Sequence, residues 1–404
     1  MKIFSHLKSD FPASLAVFFV ALPLCLGVAL ASGAPLASGL LAGIIGGIVV
    51  GLFSSSQSSV SGPAAGMVTV VLVAIENVGS FSAFTLALVL AGGIQIVMGI
   101  TRIGFIASYI PKNVIQGLLA AIGIILILKQ VPHALGFDKG TEGDFAFFQE
   151  DGENTFSEIW RAFSYFSPAA IVISCLSILF LTIWSRSRLA NLSFLPPSLL
   201  VVLFGILVNG LLMEHFPQWA ISQEHLVKIP SFRDPADIFN FPDFGQVLNH
   251  KVWMAGLTIA IVATLETLIN IEATDNLDPQ KGATPPNKEL VAQGIGNAIS
   301  GLIGGIPITS VVVRSSVNIN SGGKTKASTV LHGFWLLGGL LVLPTFLNKI
   351  PYSSLAAILI FAGYKLTKIK VFVRMYERGW SQFIPFVVTV GSIVLTDLLT
   401  GILI

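Results

Sequence analysis

The sequence predicts an all-α polytopic membrane protein whose two halves repeat one pattern in opposite orientation, each half broken once inside the membrane. Three observations lead there. The 404 residues are 53% hydrophobic and only 11% charged, with a mean hydropathy of +0.82, whereas a soluble domain carries about 25% charged residues. Apolar segments of spanning or near-spanning length recur along the whole chain. Two Gly/Pro/Ser-broken stretches, one in each half, lie among them and fall short of the roughly 20 apolar residues a crossing helix needs. A net charge of +2 is too small to suggest nucleic acid as a partner. The chain has no Gly-rich phosphate loop of the nucleotide-binding kind, no zinc-ligand spacing and no nucleophile triad. Neither an enzyme nor a metal or organic cofactor is therefore expected.

In order, the apolar segments fall at 12–31, 36–53, 61–78, 82–100, 112–130, 168–185, 195–213, 251–271, 289–304, 326–347, 351–367 and 381–396. Leu398 to Ile404 begins one more. Seven residues rise only about 10 Å as a helix, so this last segment is expected to be truncated. Lys/Arg bias sets the orientation. With the N-terminus inside, the inner loops collect Lys2, Lys8, Arg102, Lys112, Arg186 and Arg188, then Lys281, Lys288, Lys324, Lys326 and the bases from Lys365 to Arg378. The alternation holds to the end only if the short element 305–322 counts as a crossing. Of the two longer connections, 131–167 and 214–250, the first carries an acidic stretch from Asp138 to Glu158 that reads as an exposed outer loop. Cys25 and Cys175 lie in apolar spans and read as small buried hydrophobes.

The back break, Gly304 to Gly323, reads GGIPITSVVVRSSVNINSGG, and the front break runs from Ser58 to Gly66 as SSVSGPAAG. Laid side by side, Gly39 to Gly66 and Glu289 to Ser316 each give a Gly-rich span, a break and a short segment. An odd number of crossings per half forces the copies into opposite orientation, and inverted repeats with matching broken helices point to a transporter's binding site. Pro63 suits the first position of a helix, and Gly62 and Gly66 permit close approach. Pro307 favours an extended Ile306, Val311-Val312-Val313 favour a short strand, and Arg314-Ser315-Ser316 open a short helix. Each half-helix then aims free N–H groups and a positive dipole end at the midplane. An Arg there costs about 2.5–3.5 kcal/mol and so faces protein, water or a ligand. Together these make a place for an anion; the plain alternative is a Gly/Pro kink. Glu266 lies mid-span with Asn270 one turn on along the same face. It could carry a coupling proton, help ligate a cation or neutralise Arg314. Gln95, Gln116, Asn209, Gln293, Asn297, Asn318, Asn320 and His332 read as interhelical hydrogen bonds.

SVSGPAAGM at 59–67, GGIQIVMGITRIGFIASYIPKNVIQGLLAAIGIIL at 92–126, LETLINIEATD at 265–275 and PITSVVVRSSVNINSGGKT at 307–325 resemble the SulP family of anion permeases. These motifs are spread over nearly all of the chain. The resemblance implies a 7+7 inverted-repeat, uracil-permease-like fold with core and gate domains and two half-helices preceded by short strands. It places the core domain's first repeat at 1–110 and the gate's at 111–213, an outer loop at 214–250, the second core repeat at 251–350 and an incomplete gate repeat at 351–404. It implies an elevator-type secondary active carrier of small inorganic anions such as sulfate, bicarbonate or chloride. The implied anion pocket is Ser61, Gly62, Pro63, Ala64 and Ala65, Val311, Val312, Val313, Arg314 and Ser315, and Leu24 of the first span. Glu266 with Asn270 is the implied coupling-ion pair, for Na+ or H+. Where many relatives have Gln after the first-span Pro, Pro23 is followed by Leu24. The C-terminal STAS domain usual in the family is also absent from this sequence. The expected setting is a bacterial-type inner membrane with the N-terminus cytoplasmic, with the bilayer, a small inorganic anion and a homodimer as partners. A nucleobase permease of the same fold, and an anion channel or voltage-responsive protein without coupled transport, are the competing readings.

Overall fold

Helices dominate the computed structural model, which describes residues 5–109, 111–138, 147–148, 154–187, 196–228, 238–342, 344–367, 369–396 and 401. In chain order they are α1 (Leu7–Ala31), α2 (Leu36–Ile45), β1 (Ser61–Gly62), α3 (Val68–Val78), α4 (Phe81–Ile100), α5 (Lys112–Leu135), α6 (Thr155–Ala162), α7 (Pro168–Arg186), α8 (Pro197–His215) and α9 (His250–Leu277). Then come α10 (Pro286–Ile303), β2 (Thr309–Ser310), α11 (Val312–Asn320), α12 (Ala327–Leu341), α13 (Tyr352–Leu366), α14 (Ile369–Glu377) and α15 (Trp380–Leu395). α2 continues through a π turn, Gly46–Val50, to Phe53, and a 3-10 turn, Ala65–Met67, leads into α3. Among the described residues, seven helices are long and apolar enough to cross a membrane.

One compact unit comprises Met1–Pro111 and Pro230–Val342. Its helices start and stop where local chemistry dictates. The Ser80 and Asn249 side chains accept the N–H of Ala83 and Lys251 at the starts of α4 and α9. α10 ends at Gly304, whose φ of 90° an L side chain would resist. Lipid is as apolar as leucine, so these helices associate through close packing rather than hydrophobic exclusion. α4 and α10 show it: a Cβ at Gly92 would lie 2.4 Å from the backbone nitrogen of Ala298. Phe84, Leu88, Ile259, Ala263, Ile306 and Ile308 fill the shared core.

Within this unit both breaks are interrupted, and their strands pair antiparallel, Ser61 opposite Ser310 and Gly62 opposite Thr309. Two local expectations are corrected. The back strand is Thr309–Ser310, and Val312 and Val313 already belong to α11. Pairing with β1 and side-chain bonds from neighbouring helices override the weak β preference of a three-valine run. Pro63 also does not begin a helix, since Ala64 is still extended (φ −119°, ψ 143°) and helical turns start at Ala65.

The second unit comprises Lys112–Thr141, Phe145–Ile229 and Leu343–Ile404. Ala120, Met375, Phe386 and Val390 form one of its cores, and Ala169, Ala170, Ile173, Ile221 and Leu226 another. The acidic stretch is not simply solvated. The Asp138 side chain is 4% exposed and bonds both His133 and His225, and Glu158 is buried. Residues 139–146 and 149–153 between them lie outside the described residues. Cys25 is buried as expected, but Cys175 is exposed. Of the terminal segment Leu398 to Ile404, only Gly401 lies within the described residues.

Candidate functional site

Arg314 is the third residue of α11 and is 0% exposed. Its Nη2 donates to Cys25 Sγ and to the Pro63 carbonyl, both at 3.3 Å. Its Nε and Nη1 have no hydrogen-bond partner, and among the described residues no carboxylate pairs with it. A base in the first turn of a helix also adds to the positive end of the dipole instead of offsetting it. The region therefore holds a desolvated, uncompensated positive charge, which is costly unless a negative group is supplied.

The strand pair explains how the guanidinium reaches this place. A Cβ at Gly62 would lie 2.0 Å from Arg314 Nη1, so the guanidinium rests directly against that backbone. Neighbouring residues of a strand face opposite ways, and Ser61 turns from Arg314 to α10. There Gln293 Nε2 donates to Ser61 Oγ at 2.7 Å and to Glu289 Oε1 at 3.1 Å. Ser315 is committed as well: its hydroxyl accepts from the Val60 N–H at 2.9 Å and donates to the Val311 carbonyl at 2.8 Å. Asn297 brackets Ile308, accepting its N–H at 2.6 Å and donating to its carbonyl at 3.0 Å. Asn270 Nδ2 donates to the Ser310 carbonyl at 2.6 Å. A two-residue sheet survives because its buried backbone groups are satisfied by these amides.

Glu266 is buried on α9, and its carboxylate accepts the backbone N–H of Gly66 at the start of the front half-helix. Glu266 Oε2 and Asn270 Oδ1 have no hydrogen-bond partner. They form two acceptors one turn apart, suited to a proton or a small cation. Neutralisation of Arg314 by Glu266 is not what the geometry shows, because the two form no ion pair.

Leu24 is buried in α1, but it is the sulfur of the adjacent Cys25 that reaches the guanidinium. Pro63 contributes its carbonyl, Ala64 and Ala65 lie where the front half-helix opens, and the Val311 N–H bonds the Val60 carbonyl. Val312 and Val313 are buried in the first turn of α11. Sequence reasoning missed Asp10, which is fully buried. Its carboxylate accepts the N–H of Lys324 at 2.6 Å, the N–H of Thr325 at 3.0 Å and the Thr325 hydroxyl at 2.5 Å, tying down the loop after α11. An acid at the edge of the first apolar segment was the available signal; its partner, more than 300 residues away, was not.

Compared with known families, the chain matches the Sulfate permease family over residues 7–389. It belongs to the sulfate permease family. The resemblance read from the motifs is borne out, and membership makes the protein an anion transporter of the membrane, not an enzyme. Among its relatives is a candidate sulfate transporter of Bacillus subtilis, YvdB, 28% identical over 98% of this chain and 71% of its own. Another is the bicarbonate transporter BicA of Picosynechococcus, 26% identical over 99% of this chain and 69% of its own. The solved transmembrane domain of a cyanobacterial bicarbonate transporter, BicA, superposes with a TM-score of 0.68 at 24% identity, covering 99% of this chain and 98% of that one. The fold is thus the 7+7 inverted repeat of this sulfate permease group.

Proposed function

We propose that this sulfate permease family member is a secondary active, cation-coupled carrier of a small oxyanion of the sulfate or bicarbonate kind. One observation carries the reading: a fully buried guanidinium with two nitrogens free and no paired acid, at the point where two interrupted helices begin. Arg314 supplies charge to the anion, and the starts of the two half-helices supply dipole ends, the Gly66 N–H being taken by Glu266. Gly62 to Ala65 and Val311 to Val313 line the place, while Ser61 and Ser315 hold its walls. Each dipole end contributes only about 0.3–2 kcal/mol, so binding stays loose enough for release. Glu266 and Asn270 take the coupling Na+ or H+. Coupling is called for because an anion entering a negative-inside cell climbs about 2.3 kcal/mol per charge per 100 mV. The unit holding the site moves as a rigid elevator in an inner membrane, with the N-terminus cytoplasmic; the Lys/Arg bias supports that orientation.

The test is flux into liposomes with labelled sulfate, bicarbonate, chloride and fumarate in competition. Uptake is expected to collapse in Arg314→Ala, and preserved uptake at unchanged affinity rejects the site. Glu266→Gln is expected to remove dependence on the cation gradient. If uptake still follows the gradient, Glu266 has no part in coupling.

A further inference from the structure

α14 is a nine-residue helix in the turn between α13 and α15, two apolar helices that both pack on the spanning helix α5. By pattern alone this stretch reads only as an inner loop rich in bases. One of its faces is used inside the unit: Val371, Phe372 and Met375 pack with Ala120, Ile124 and Phe386. A second apolar stripe points away from the protein. Ile369, Val373 and Tyr376 follow a 4-3 spacing, which puts them on one face of α14, and Trp380 opens α15 just beyond Gly379; the four are 79%, 49%, 57% and 64% exposed. Lys370, Arg374 and Arg378, four residues apart and all exposed, form the adjoining stripe, with Glu377 the one acid. Tyr376, Trp380 and Phe383 stack edge-on, with centroids 5.4 to 5.9 Å apart, at the corner where α14 meets α15.

An outward apolar stripe flanked by bases, with Trp and Tyr at the end of an apolar helix, is the pattern of a helix lying in the membrane interface. We propose that α14 is a docking surface for anionic phospholipid: the Ile369–Trp380 stripe enters the acyl boundary, and Lys370, Arg374 and Arg378 bind headgroup phosphates. The charge of the basic stripe selects lipid over a second apolar protein face. The position of α14, in a turn between helices that run along α5, puts it at the water boundary. The site is separate from the anion site and anchors the second unit in the bilayer.

The test uses the full chain in phosphatidylcholine nanodiscs that contain a minor fraction of brominated phosphatidylglycerol or, as control, brominated phosphatidylcholine. Subtracting the Trp380→Phe protein isolates Trp380 emission. Brominated phosphatidylglycerol should quench it more strongly than the control lipid. The excess should disappear in the triple variant Lys370→Glu, Arg374→Glu, Arg378→Glu, since each base near an anionic surface is worth about fivefold in apparent affinity. Phosphatidylglycerol retained through purification, measured by mass spectrometry, is a second readout and should fall in the same variant. Equal quenching by the two lipids overturns the choice of an anionic lipid. No quenching by either, or a disulfide between two copies formed through Val373→Cys in the membrane, shows the stripe covered by protein and overturns the proposal.

Discussion

Replacing Gly62 with alanine adds one methyl group and should move one charge. Built on the present backbone, that Cβ would sit 2.0 Å from Arg314 Nη1, 2.9 Å from Cζ and 3.5 Å from Nη2. Ordinary contact needs about 3.5 Å, so the guanidinium must retreat by about 1.5 Å. Because it is the end of a flexible side chain, the backbone can stay in place, and overpacking should cost near the lower end of about 1–3 kcal/mol. The guanidinium would give up its 3.3 Å bonds to Cys25 and Pro63 and its place in the proposed anion site. A hydrogen bond to a charged group is worth about 1.5–3 kcal/mol, which predicts a Kd for labelled sulfate or bicarbonate about 10- to 100-fold weaker. The assay is equilibrium binding to purified protein, with thermal unfolding measured in parallel. A folded Gly62→Ala protein with unchanged affinity would refute the reasoning, because the anion would then not depend on where the guanidinium lies.

Two further outcomes follow from other parts of the molecule. Asp10→Ala leaves two backbone N–H groups and a hydroxyl without acceptors; at about 1–3 kcal/mol each it should lower stability by about 3 kcal/mol or more, with Asp10→Asn intermediate. An unfolding midpoint equal to wild type in Asp10→Ala would rule this out. In the second unit, burial by itself would raise the Asp138 carboxyl, but hydrogen bonds from His133 and His225 outweigh it and hold the carboxyl below its usual 3.8. The hydrogen bond to Asp138 lifts His225 above its usual 6.5, against a smaller lowering by burial. The Asp138 contribution is therefore present above pH 3.8 and lost as pH falls through its lowered value. The His225 contribution is full below pH 6.5 and lost as pH rises through its raised value. Hydrogen exchange at 221–228, corrected for intrinsic rates, should show protection falling as pH climbs past 6.5. Asp138→Asn should flatten that slope, and an unchanged slope would reject the tie.

Much of the site could be read from local pattern. Arg314 stands out because a charge among membrane-length apolar segments is expensive wherever it lies, so its presence alone announces a partner or a ligand. Gly62, Pro63 and Pro307 mark the breaks because they restrict or free the backbone on their own. What neighbours do to a backbone was not legible. The back strand fell two residues earlier than the valine run suggested, because Asn297, Asn270 and β1 claim the backbone at Ile308 to Ser310. Ser61 and Ser315 looked like ligands by position, yet the Ser315 hydroxyl is taken up between the Val60 N–H and the Val311 carbonyl, and the Ser61 oxygen accepts from Gln293.

Composition and periodicity, which each residue carries with it, were enough for the class and the paired interruptions, and the family was legible in the motifs that resemble it. The partners of Asp10, Glu266, Asp138 and Arg314 are another matter. They come from segments far apart in the chain, and no one-dimensional signal records which buried acceptor meets which donor. Only when the two short strands pair does a guanidinium settle against Gly62 and a carboxylate against Gly66, because desolvation penalises any arrangement that leaves those backbone groups unmatched.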